Sequence, residues 1–380
     1  MITPLSLVSP AVGLRSHFPV LERLAYMNAG SVGPVPREAA AAAEAELRDA
    51  VENGRGAKTQ FERATELAER LRSRVAGHMG CEASELALTG ATTDGVNAVL
   101  GGLDLQRGDE VLTSDEEHPG VLAPLGLERR RRGIEVRVAP FAELAGQVGP
   151  RTRLVVCSHV SWLSGRVADT AALAACEPPL LLDGAQGLGA VTTDVRELGC
   201  DYYAASGQKW LCGPVGLGYL YVRRELIEEL SPTAAGYLTV TDPLRSLDLP
   251  LREGAARFDA GFPPPERSTW ALAALEVLAA DGLDSLCGRA TALAASLAER
   301  LAARGLAVAP RGRSTLVSWE AADNEGEAKR LLDASILVRH LPGTPYLRAS
   351  VGAWSNEEEL ERLASAAARP SVRASQTAQK

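Results

Sequence analysis

No two of the six cysteines, at 81, 157, 176, 200, 212 and 287, form a C-x-x-C pair, and none falls at a zinc spacing. Most lie among apolar residues, as expected of buried thiols in a reducing cytoplasm. An excess of positive charge is missing too: 40 Lys and Arg face 48 Asp and Glu, for a net charge of -8. That balance argues against a nucleic-acid or polyanion binder. The one basic run, Arg129–Arg132, ends an apolar-periodic segment just before Gly133. Cations at a helix C-terminus followed by a glycine account for it without a ligand. No apolar run is long enough to span a membrane. The opening MITPLSLVSPAVG has no basic start and is broken by prolines, so it does not read as a signal peptide. G-x-S-x-G, the serine-hydrolase elbow, is absent. GPVGLG at 213–218 has the wrong spacing for a dinucleotide loop.

What remains is an ordinary globular balance over 380 residues, 46% hydrophobic and 23% charged, enough for two or three domains. Residues 37–79 carry Ala, Glu, Arg and Leu at helical spacing. After residue 80 strands and helices alternate. ELALTG, DEVLTSD, IEVRVAP, RLVVCSHVS, PPLLLDGAQ, DYYAAS and GLGYLYVR read as strands, several of them near-continuous apolar runs. ATTDGVNAVLGGL, VLAPLGLERRRRG and DTAALAAC read as helices between them. This rhythm predicts an α/β fold with a mostly parallel sheet. The C-terminal third changes character, with a helical stretch at 267–304, short strands STLVSWE, ILVRH and YLRAS, and a last helix opened by SNEEELERL. There Ser355 and Glu358 fit a capping box. The expected organisation is an N-terminal segment 1–25, a large domain 26–289, a small α+β domain 290–368 and a frayed tail 369–380.

Ligands of open parallel sheets bind beyond the carboxyl ends of the strands. Five polar features stand there. GATT, 90–93, offers hydroxyls at a helix N-terminus, either an anion site or a plain N-cap. His118 in DEEHPG is either structural or an aromatic ring that stacks on a flat ligand. Asp183 in DGAQ ends a buried strand, where a carboxylate needs a partner such as a pyridinium N–H. Lys209 lies in AASGQKWLCGP, 204–214, an apolar, turn-rich setting. Desolvation there lowers a lysine pKa and frees the neutral amine that Schiff-base chemistry needs. Arg348 in YLRAS either forms a structural ion pair or meets a substrate carboxylate bidentately.

Taken in order, these features resemble the class V aminotransferase family of fold type I enzymes, which use pyridoxal 5'-phosphate (PLP) and include the cysteine desulfurases. The resemblance runs from YMNAGSVGPVP at 26–36 to YLRASVGAWSNEEELERL at 346–363, and DGAQ and SGQKWLCGP are its most specific parts. It implies a large domain with a mostly parallel seven-stranded sheet and a small C-terminal domain. It implies that Lys209 carries the cofactor and that Asp183 keeps the pyridine nitrogen protonated. Gln186 then bonds the ring hydroxyl, and His118 stacks on the ring and relays protons. Thr92, Thr93, Ser206 and Gln208 hold the phosphate. Arg348 binds the substrate α-carboxylate, with Asn28 and Ala29 nearby and Trp162 shaping the pocket. RFDAGF, 257–262, resembles a stretch that reaches a partner's cofactor, so a homodimer is implied. The implied partner is a small amino-acid substrate, with no nucleic acid and no membrane.

Three departures stand out. Gln208 replaces the common histidine, Phe262 replaces the common threonine of the partner loop, and Trp162 replaces the asparagine of desulfurases. Ser268 or Thr269 are candidates to replace the threonine contact. A desulfurase also needs a mobile cysteine in the loop before the carboxylate-binding arginine, and VRHLPGTPYLR, 338–348, has none. Cys212 reads as a buried thiol. β-Elimination needs no such thiol, so a C–S lyase acting on cysteine, cystine or a cysteine conjugate is the leading expectation. Desulfuration, transamination and epimerisation are the alternatives, and a non-catalytic fold relative is the alternative outside this class.

Overall fold

The computed structural model describes residues 12–259, 261 and 263–368. The expected tail at 369–380 and Phe262 lie outside the described residues. The strands, in chain order, are β1 (Ala25–Tyr26), β2 (Leu86–Thr89), β3 (Glu110–Ser114), β4 (Glu135–Ala139), β5 (Thr152–Ser158), β6 (Leu180–Asp183), β7 (Tyr202–Ser206), β8 (Gly218–Val222), β9 (Leu316–Glu320), β10 (Ile336–Leu337), β11 (Arg339–His340) and β12 (Tyr346–Ser350).

Seven of them form one sheet in the order β2-β8-β7-β6-β5-β3-β4. All neighbours are parallel except those of β8, which runs antiparallel to both β7 and β2. The near-continuous apolar runs follow from burial on both faces. In β5, Leu154 and Val156 enter one core while Val155 and Cys157 enter the other. Helices cover these faces, among them Thr92–Gly102 and Pro119–Arg132. The second ends as its sequence requires, with four arginines in the last turn and Gly133 at φ 76°.

The parallel order brings the ends of β3, β5, β6 and β7 to one rim. Ser158 pairs with Asp183, and Asp183 with Ala204, in register. The chain turns after each strand there, so Ser114, Ser158, Asp183 and Ser206 mark a single edge.

The C-terminal strands β11, β12 and β9 make a separate antiparallel sheet. β1 adds to β10 in parallel, and Asn28 bridges Ser350. Leu14 and Phe18 pack in a core with Leu316 and Trp354. The chain around residues 14–28 is thus bound up with C-terminal elements, a pairing that hydropathy alone does not reveal. One helix, Leu283–Ala303, runs without a break through position 290. The last helix starts one residue later than expected: Asn356 is the N-cap and forms the capping box with Glu359. Ser355 is buried and its hydroxyl takes no part.

Candidate active site

A cavity of about 190 Å³ opens at the shared rim, bounded on its other side by β11 and β12. Its wall brings together Thr92, Thr93, His118, Trp162, Asp183, Gln186, Ser206, Gln208, Lys209 and Arg348. Larger hollows beside Phe258 and beside Phe141 hold none of these residues. Asn28 and Ala29 do not reach the cavity. Asn28 Oδ1 accepts a hydrogen bond from Ser31 Oγ at 2.7 Å, and Ala29 is packed in the core. Gly30 and Ser31 form that part of the wall instead. Thr269 bonds backbone carbonyls at Glu266 and Ala42, Ser268 is fully buried, and neither lines this cavity.

One end of the cavity is built for an anion. The helix Thr92–Gly102 starts at Ala91, whose side chain caps nothing, so its first N–H groups have no side-chain partner. Beside it the buried atoms Thr92 Oγ1, Ser206 Oγ and Gln208 Oε1 have no hydrogen-bond partner among the described residues. Turning the Gln208 amide by half a rotation exchanges its oxygen for a donor nitrogen. Orphaned polar atoms of this kind are costly unless a ligand takes them up.

The middle is a slot between rings and a carboxylate. His118 Nδ1 accepts from Gly120 N at 2.9 Å, which leaves the proton on Nε2 in the neutral ring. Burial, then Lys209, Arg339 and Arg348, push its pKa down to about 4, so the ring is uncharged at neutral pH. Trp162 meets it edge-on, with centroids 5.0 Å apart at 85°. Asp183 Oδ1 accepts from Ala185 N at 2.8 Å. Burial raises the Asp183 pKa, opposed by Lys209. Burial also lowers Lys209 to about 8, opposed by Asp183 and helped by Arg348 and Arg339. Gln186 is held at both ends: Nε2 donates to Gly30 O at 2.8 Å and Oε1 accepts from Trp210 Nε1 at 3.1 Å. One amide hydrogen and one lone pair remain for a ligand.

The far end is cationic. Arg348 donates to Trp162 O at 2.8 Å, and its Nε has no partner among the described residues. Arg339, which sequence reasoning missed, lines the same wall and donates to Ser31 Oγ at 2.9 Å. Among the described residues neither is paired with a carboxylate. β11 and β12 are joined only by residues 341–345, so this is a tight hairpin with no long arm. Cys212 is buried deep beside Trp210, with its thiol pKa raised by that burial.

A buried amine of lowered pKa, a carboxylate across from it, a ring over the slot and an anion cradle at one end define a fold type I PLP enzyme. The Aminotransferase class-V family profile matches residues 25–363. The chain belongs to that family. It is 33% identical over 262 residues to a probable cysteine desulfurase of Methanothermobacter thermautotrophicus, a match spanning 65% of each chain and so just under two thirds of that relative. It is 31% identical over 300 residues to a cysteine desulfurase of Salmonella gallinarum, 73% of this chain and 74% of the other. Its fold superposes on a lysine-to-alanine mutant of C-DES with glycine covalently linked to the PLP cofactor, with TM-score 0.89, 28% identity, and coverage of 94% and 99%. The complex of the cystine C-S lyase C-DES with its reaction product cysteine persulfide aligns with TM-score 0.87 and 28% identity over 92% and 99% of the two chains.

Proposed function

We propose that this chain is a PLP-dependent C–S lyase that cleaves a cysteine-type amino acid by β-elimination, with cystine as the favoured substrate. The observation that carries the reading is the hairpin 338–348. It carries two guanidiniums of the cavity wall that no carboxylate among the described residues pairs with, and it has no cysteine to accept sulfur.

The residues fit the cofactor. Lys209 is the attachment point, Asp183 the partner of the ring nitrogen, Gln186 that of the ring hydroxyl, and His118 the stacking face. Thr92, Thr93, Ser206, Gln208 and the helix amides hold the phosphate. When bound, PLP supplies an electron sink for charge that develops at the substrate Cα. Arg348 holds the α-carboxylate through its fork of N–H groups, and the Trp162 carbonyl fixes that fork. The Lys209 amine would be the base that takes the proton from the substrate Cα. Its lowered pKa keeps part of it neutral near pH 8. The Cβ–S bond then breaks and sulfur leaves with the bonding pair. Addition of water and loss of ammonia give pyruvate. From cystine the departing group is cysteine persulfide, so no protein thiol is consumed.

Arg339 gives the preference for cystine, because its cation suits the second carboxylate of that molecule. Desulfuration is favoured by the names of the relatives, and the hairpin without cysteine weighs against it. Division into a cofactor-bearing part, 26–289, and a small part, 290–368, belongs to this reading, as do a homodimer and a cytoplasmic location. Exposed Leu47, Val51, Tyr237, Leu244 and Leu247 support an apolar self-contact. Six free cysteines support a reducing compartment. The test is turnover by PLP-loaded protein of cystine, cysteine, alanine and aspartate. Cystine is consumed fastest on this reading; faster turnover of alanine or aspartate contradicts it.

A further inference from the structure

Of the three consecutive carboxylates that precede His118, Asp115 accepts from Phe141 N, and the mechanism above uses neither Glu116 nor Glu117. They point in different directions. Glu117 is buried at 4% exposure between strand ends. Its Oε1 accepts from Ser114 Oγ at the end of β3 and from Ser158 N at 2.9 Å at the end of β5. Its Oε2 accepts from Ser158 Oγ at 2.6 Å. Ser158 in turn is the register partner of Asp183, and His159 N donates to Asp183 O at 2.9 Å. Glu116 reaches the other way. It accepts from Ser161 Oγ and Ser164 Oγ, and Arg166 stands 3.4 Å from it. Those three residues flank Trp162, whose carbonyl holds Arg348.

We propose that Glu116 and Glu117 form a two-way clamp of positioning residues: Glu117 sets the His118 ring against the Asp183 strand for the cofactor, and Glu116 sets the Trp162 turn for the substrate carboxylate. The proposal rests on PLP being the cofactor.

The physical case is one of cost and connectivity. A buried carboxyl is expensive, and burial has pushed Glu117 up to about 7 despite three donors aimed at it, with Asp183 adding to the rise. A purely apolar packing residue would avoid that cost, so the group is placed for its acceptors. Its three bonds join the end of β5, where Ser158 pairs with Asp183, to Ser114 at the end of β3, just before the loop that leads to His118. Glu116 and Glu117 are adjacent on one backbone immediately before His118, so the two carboxylates tie that backbone to the strand ends on one hand and to the turn of Trp162, which meets the His118 ring edge-on, on the other. Side chains that touch cofactor and substrate need outer partners of this sort to hold their angle.

The experiment is a crossed pair of substitutions with two binding readouts on the full-length protein. PLP affinity is titrated on apo protein through the visible absorbance and circular dichroism of the bound cofactor. Glycine, the simplest α-amino acid, is then titrated into PLP-loaded protein through the change in its visible spectrum. Glu117→Ala is expected to weaken PLP binding by about tenfold and to shrink the visible circular dichroism, with Glu117→Gln restoring both. Glu116→Ala is expected to leave PLP affinity within about twofold while weakening glycine by about tenfold. Equal effects of both alanine variants on both ligands overturn the clamp, as does Glu117→Ala that binds PLP like the parent. If Glu117→Ala does not fold, Glu116→Ala and Glu117→Gln decide it, because a Glu117→Gln protein that folds but binds PLP tenfold worse contradicts the positioning role. Unmodified protein that takes up no PLP instead defeats the cofactor reading itself.

Discussion

Arg339 on β11 and Arg348 on β12 are direct cross-strand partners, and both line one cavity wall. Like charges placed opposite each other on paired strands destabilise the sheet. Among the described residues no carboxylate offsets either one, and burial with Arg339 beside it lowers the Arg348 pKa to about 9. An arrangement that is unfavourable by itself and favourable with an anion is the mark of a binding site.

Arg339→Ala therefore separates two quantities. The apo protein should melt at an equal or higher temperature, because a like-charge contact is removed. The KM for cystine should rise by about 10- to 100-fold, the range of a charge-assisted hydrogen bond, with a smaller rise for a substrate with one carboxylate. Arg348→Ala should weaken both substrates alike. Calorimetry and steady-state kinetics on the two variants check this.

The pH dependence of Lys209 has a definite sign. Burial lowers its pKa from 10.5 to about 8, and the neutral amine is the reactive form. The rate at which apo protein captures the PLP aldehyde should rise with pH and level off above about 8. An ordinary surface lysine keeps gaining to about pH 10. In the folded protein the group sheds its proton more readily than in the unfolded chain. Its contribution to folding stability is therefore lost as pH falls from about 10.5 toward 8 and is constant below that. Stopped-flow absorbance of PLP uptake across pH 6–11 measures the first of these.

Gly30 is required by its surroundings. A Cβ added there would lie 2.6 Å from Ser350 Oγ, 2.9 Å from Gln186 Oε1 and 3.0 Å from Arg348 Nη2. Gly30→Ala must move Gln186 and Arg348, the groups proposed to meet ring and substrate, at a stability cost of about 1–3 kcal/mol for overpacking. Substrate affinity should fall by more than stability alone explains. Chemical denaturation alongside a glycine titration tests the two separately.

Much of this site was legible because a parallel sheet collects chemistry at one edge. GATT, DEEH, DGAQ and SGQK each follow a strand, so reading strand ends was nearly enough to find Thr92, His118, Asp183 and Lys209. Arg339 was hidden because its place depends on pairing register. The pairing turns about Gly343 and Thr344 in HLPGTPY, and counting outward from that turn sets Arg339 opposite Arg348. A hairpin reading of 338–348 would have shown it. The capping box slipped by one residue because SNEEE offers Ser355-Glu358 and Asn356-Glu359 equally, and only packing chooses between them. The strand β1 is two residues long and pairs with β10, more than three hundred positions away, a contact that no local pattern encodes.

The central claim is β-elimination rather than transfer of sulfur to a protein thiol, and the products of cystine and cysteine turnover test it most directly. Purified protein loaded with PLP should convert cystine to pyruvate, ammonia and cysteine persulfide in equal amounts, with no alanine. Cys212→Ser should retain that activity, since the buried thiol takes no part. Alanine formed in proportion to sulfur transferred, with loss of turnover in Cys212→Ser, would contradict the account.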